Sequence, residues 1–104
     1  MIRLSSEVSR LEKLSRDLKS KYGERILAKF SLTTFSDDIA VGGYLTVFHG
    51  SSIFKLYLDG SGTVTYEYNY LSNPNRVVSM SGTSVDNFGK KLKHELHRRD
   101  KKLQ

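Results

Sequence analysis

Between Lys90 and Lys102 the chain carries Lys90, Lys91, Lys93, His94, His97, Arg98, Arg99, Lys101 and Lys102, opposed only by Glu95 and Asp100. Cations at this density suit one kind of chemistry: they neutralise a row of phosphates and release the counterions condensed around a nucleic acid. On a helix Lys91, His94, Arg98 and Lys101 fall near one line, so several can follow one backbone. The candidate nucleic-acid-binding residues are therefore Lys90, Lys91, Lys93, Arg98, Arg99, Lys101 and Lys102, making sequence-independent phosphate contacts that imply no base reading. The competing reading is a solvated helix whose cations complement the negative end of its dipole.

Other reactive residue types do not assemble into motifs. His94 and His97 stand three apart on one helical face, but no third ligand accompanies them and their surroundings are cationic. The run His-Glu-Leu-His also misses the four-residue histidine spacing of metalloproteases. Ser52-Ile53-Phe54-Lys55 matches S-x-x-K on an expected strand rather than at a helix start, and no G-x-S-x-G elbow is present. Gly89-Lys90 lacks P-loop spacing, and Asp59-Gly60-Ser61-Gly62 lies between strands, where no helix N-terminus can point at a phosphate. Asp37 and Asp38 are adjacent turn acids. The chain has no cysteine, which excludes disulfides, thiolate zinc sites and a thiol nucleophile. The expectation is a non-catalytic protein with no metal and no cofactor.

The elements that position these residues follow from composition and periodicity. A chain of 104 residues with 38% hydrophobic content forms one domain, residues 1–104, with an ordinary core. The net charge of +6 divides unevenly: residues 1–25 carry +3, residues 26–84 carry −1 and residues 85–104 carry +4. Nine of the eleven aromatics fall between Phe30 and Tyr70. Basic ends around a neutral aromatic middle imply helices flanking a sheet. The first ten residues alternate charge with isolated apolar side chains, without the apolar run of a secretion signal or membrane span. They read as the start of a complete cytoplasmic chain with no membrane partner.

Leu4, Val8, Leu11, Leu14, Leu18 and Tyr22 recur at helical spacing, with Ser5 or Ser6 as N-cap and Gly23 as a stop. From Arg25 the period becomes two. Ile26, Ala28, Phe30 and Leu32 make one strand; after a turn at Ser36-Asp37-Asp38, Ile39, Val41, Gly43, Leu45 and Val47 make a second. There Gly42-Gly43 marks a bulge or a close backbone approach. Phe54, Leu56 and Leu58 make a third strand, and Gly50-Ser51 reads as a two-residue type II′ turn that fixes the hairpin register. Val64, Tyr66, Tyr68 and Tyr70 follow in a fourth strand, where the three tyrosines could form a ring platform but read as half-buried core residues whose hydroxyls reach water, and Arg76 to Met80 as a short fifth at an edge. Thr83 or Ser84 caps a final helix with a stripe of Val85, Phe88, Leu92, Leu96 and Leu103, fraying near Lys101. The fold class is α+β in two layers: an N-terminal helix, an antiparallel meander of four or five strands, and a C-terminal helix.

That hairpin register places Tyr44 opposite Tyr57 and Phe48 opposite Ile53 on the face away from the main hydrophobic set. Left uncovered, these four form a partner-binding surface; covered by one helix, they join the core. Two functions result. One is a small binding or regulatory protein acting on nucleic acid or a nucleoprotein through the basic helix. The other is a protein-binding inhibitor or regulator, of the kind phages and mobile elements encode, using the aromatic face and able to pair with itself as a homodimer.

Overall fold

Ser5 starts the first helix by accepting the amide of Val8 on its hydroxyl at 3.2 Å, satisfying one of the N–H groups that a helix start leaves unpaired. In the computed structural model, which describes residues 2–103, this helix is α1, Ser6–Tyr22. It buries Val8, Leu11, Leu14, Leu18 and Tyr22, as their spacing dictates. Its end is set by Gly23, whose φ of 56° is open to a residue without Cβ, and a short 3₁₀ turn, Gly23–Arg25, leads into the sheet. Leu4 does not head the helical stripe as expected. It belongs to β1, Arg3–Leu4, which pairs in parallel with Ile39 and Ala40.

The remaining strands are β2, Leu27–Ser36; β3, Ile39–His49; β4, Ser52–Leu58; β5, Val64–Asn69; and β6, Val77–Gly82. They form an antiparallel meander, each paired with the next. β1 shares with β4 the side of β3 that β2 leaves open, so the sheet has six strands, one pairing of which is parallel. The β3–β4 hairpin has the expected register: Tyr44 opposes Tyr57, Phe48 opposes Ile53 and His49 opposes Ser52 across Gly50-Ser51. Gly50 has φ 58° and Ser51 does not share the positive region, the type II′ pattern.

The irregularity expected at Gly42-Gly43 is present and involves both strands: Thr33 is the extra residue of β2, and Val41, beside Gly42, is the extra residue of β3. The pairing shifts between Leu32 opposite Gly43 and Thr34 opposite Gly42, and again between that pair and Phe35 opposite Ala40. The glycines accommodate a close approach: a Cβ on Gly43 would sit 2.8 Å from the Ser31 carbonyl, and one on Gly42 would sit 2.9 Å from Thr34 and the Leu58 carbonyl.

The last helix, α2, runs Val85–Leu103, past the fraying point expected at Lys101. Ser84 caps it, its hydroxyl accepting the Asn87 amide at 3.1 Å, while Glu7 of α1 accepts the Val85 amide at 3.2 Å. Asp86, in the first turn, pairs with Arg10 of α1, 3.4 Å away. The side chain of Leu103, expected to extend the apolar stripe, lies outside the described residues. α1 and α2 run side by side in the same direction, with Gly89 set against Leu14 where they meet. Both lie on one face of the sheet, α1 over β2 and β3 and α2 over β4. Their apolar stripes close a core with Ala28, Leu45, Val47, Phe54, Leu56, Leu58, Val64 and Tyr66. The two-layer α+β architecture is the one the periodicity implies. Among the described residues no helix is long and apolar enough to cross a membrane.

Candidate functional site

The helical period decides which cations of α2 reach solvent. Leu92 and Leu96 fix the buried stripe, and Lys90, Lys91, Lys93, His94, His97, Arg98, Lys101 and Lys102 point away from it into solvent. Lys93 has Asp17 of α1 at 3.9 Å. Among the described residues, Lys90, Lys91, Lys101 and Lys102 make no ion pair.

Arg99 is a correction to the expected surface set. It lies three residues past Leu96 and seven past Leu92, within the buried stripe, and is 2% exposed. Its guanidinium donates from Nε to Glu95 at 2.7 Å, from Nη1 to the Ser52 hydroxyl at 2.9 Å and from Nη2 to the Asn69 carbonyl at 2.8 Å. It also stands 5.1 Å from the Phe54 ring centroid and 5.5 Å from that of Tyr68. With three of its five N–H donors engaged internally and its side chain buried, Arg99 does not belong to the exposed cationic set. Arg98 remains exposed but grips Glu95 through Nε and Nη2, and this contact raises its pKa. Burial pushes the Glu95 carboxyl up; hydrogen bonds from Arg98 and Arg99 outweigh it and leave Glu95 below its ordinary value.

A second buried polar group lies at the next position. Asp100 accepts from or pairs with His49 Nε2 at 3.0 Å and faces Arg25 at 3.4 Å. Burial, reinforced by the Asp100 charge, raises the Tyr22 phenol. Asn69 completes the polar layer, its side chain accepting the Ile53 amide at 2.9 Å and donating to the Ser51 carbonyl at 2.8 Å. These groups lock α2 to the β3–β4 turn.

Because α2 lies over β4, the inner surface of β5 and β6 emerges beside it as the floor of a groove. One half is lined by Tyr66, Tyr68 and Met80 below and by Lys90, Lys91 and His94 on the helix wall. The other half continues through Tyr68 to Tyr70, Leu71 and Ser72, with Arg98, Lys102 and the edge of Arg99 on the wall. Glu95 lines both halves, its charge already engaged by the two arginines. The tyrosines expected as half-buried core residues are graded: Tyr66 is buried, Tyr68 is half-buried and Tyr70, just past the strand, is 38% exposed. Met80 and Glu95 are the site residues that the sequence did not single out; Tyr68 and Tyr70 stand in the alternating series that also allowed a ring platform.

The other sheet face carries neither helix. Tyr44 and Tyr57 are 38% and 43% exposed there, with Phe48 and Ile53 half-buried. Register divides this face into rows. Leu27, Phe48 and Ile53 form an apolar row toward Val77; Lys29, Thr46, Lys55, Glu67 and Ser79 form a polar row; Ser31, Tyr44, Tyr57, Thr65 and Ser81 form a third. The four expected partner-binding residues therefore share an open face as two pairs, separated by Thr46 and Lys55.

Among the described residues no three His, Asp or Glu side chains gather as metal ligands. Comparison with protein-family models, with curated proteins and with solved structures finds no match.

Proposed function

We propose that this protein is a small non-catalytic binding or regulatory protein that acts on nucleic acid, free or within a nucleoprotein, through the outer surface of α2. The observation carrying this reading is the state of Lys90, Lys91, Lys101 and Lys102: exposed, on one helix and without acidic partners among the described residues. Exposed cations without acidic partners are available for phosphate contact, whereas Arg99 is buried with three of its donors turned inward. The test is anisotropy of a labelled random-sequence duplex and single strand across a salt series. Affinity should fall steeply with salt, and Lys101→Gln with Lys102→Gln should reduce the log–log slope by about 1 for each lysine removed. Absence of binding at low salt rejects the reading.

A second reading has its own observation. Neither helix covers the face bearing Tyr44 and Tyr57, and exposed aromatic rings favour the centres of protein interfaces. A protein-binding regulator, or a homodimer, would use that face, while the cationic helix would then serve solubility.

A further inference from the structure

Resting on the nucleic-acid reading, we infer that the strand is single and lies in the groove between α2 and β5–β6, with bases against Tyr68 and Tyr70 and phosphates along Lys91 and Lys102. Three observations converge on this occupant. The floor is aromatic, with Tyr68 half-buried and Tyr70 38% exposed, and an unpaired base has a free π-face to lay on such rings where a duplex has none. The wall is cationic along its length: Lys91 and Lys102 are eleven positions apart, roughly 17 Å at helical rise, enough for about five phosphates at duplex spacing and fewer when the strand is stretched. The floor is also pre-organised. The Arg99 guanidinium lies 5.5 Å from the Tyr68 ring, and Tyr66 packs on it with centroids 5.3 Å apart, so Tyr68 is fixed before any ligand arrives. Tyr70 is steadied likewise, with the Arg76 guanidinium 5.4 Å from its ring centroid. Glu95 does not repel a phosphate as a free carboxylate would, since both arginines neutralise it.

The experiment compares labelled oligothymidine with a blunt hairpin duplex of equal phosphate count, using the full chain and a circular dichroism check on each variant. Wild type should bind oligothymidine more tightly. Tyr70→Ala should weaken that binding about tenfold, the loss of one stacked base, while Tyr70→Phe leaves it unchanged. Lys91→Gln should lower the salt slope, and Lys93→Gln, an equal charge on the flank toward α1, should not. Equal or tighter duplex binding, or indifference to Tyr70→Ala, overturns the groove while leaving phosphate binding by α2 intact. Equal binding of polyglutamate overturns it in favour of an acidic-peptide surface. No binding of either oligonucleotide at low salt removes the groove and the broader reading together.

Discussion

Glu7, in the first turn of α1, accepts the backbone amide of Val85 at 3.2 Å across a sequence separation of 78 residues. The contact puts a negative charge at the positive end of α2 and joins the starts of the two helices. Replacing Glu7 by Ala should cost about 1 kcal/mol, read as a melting temperature lower by about 5 °C. Glu12→Ala, which removes an exposed pairing with Arg16 at 3.6 Å, should stay within about 0.5 kcal/mol. Equal effects of the two would show that the long-range cap contributes nothing special.

Arg99 sits at the opposite end of the same helix and fills a core position. Arg99→Met should destabilise by about 3–5 kcal/mol in urea unfolding, because Glu95, Ser52 and the Asn69 carbonyl each lose a charged donor in a buried site. Lys101→Ala, two residues on and exposed, should change stability by no more than about 0.5 kcal/mol. A mild Arg99→Met would mean that the polar layer relaxes around an apolar replacement.

Glu95 gives the fold an acid-sensitive contact. Its carboxyl titrates below the ordinary 4.5 in the folded chain because Arg98 and Arg99 favour the charged form against the opposing pull of burial. The native state thus binds fewer protons than the unfolded one, so this contribution is fully present above about pH 4.5 and is lost as pH falls through the lower, native value. Glu95→Gln should be less stable than wild type at neutral pH, and the gap should close below pH 4.5. A gap independent of pH would place the stabilisation in packing rather than charge.

On the open face, Tyr44 and Tyr57 form a directly opposed cross-strand pair. A double-mutant cycle through Tyr44→Ala and Tyr57→Ala should give a coupling of about 0.2–1 kcal/mol, with the fold intact. Sedimentation of the double variant tests the protein-binding reading: a dimer in wild type that dissociates in the variant supports it, and a monomer in both removes self-association.

The β3–β4 register was legible because two independent signals, the glycine of a type II′ turn and the parity of the apolar sets, agreed on Gly50-Ser51. Both helices were legible from their stripes. Arg99 was not, though a trace was present: the series Leu92, Leu96, Leu103 has a gap, and position 99 fills it. A charged side chain in that gap reads as surface until its partners, Ser52 and Asn69, arrive from strands thirty or more residues away. The placement of both helices on one face also had a readable sign, since the expected register sets Lys55 opposite Thr46 between the aromatic pairs, and a lysine there belongs in water. β1 left no pattern. Two residues are too few for a period, and its pairing rests on the backbone bonds of Arg3 to Asp38 and Ser5 to Ala40. The groove was hidden for a different reason: periodicity tells which face of α2 is buried but not which strands it crosses.

The break in β2 has a consequence for how this chain behaves when concentrated. β2 is ten residues long and, among the described residues, pairs with β3 alone, so its outer row of amides and carbonyls could template another chain. The extra residue Thr33 interrupts that row, and exposed Lys29 places a charge near its other end. An arriving strand finds only a short stretch of regular spacing before the rungs fall out of step, which works against the stacking of copies into fibres.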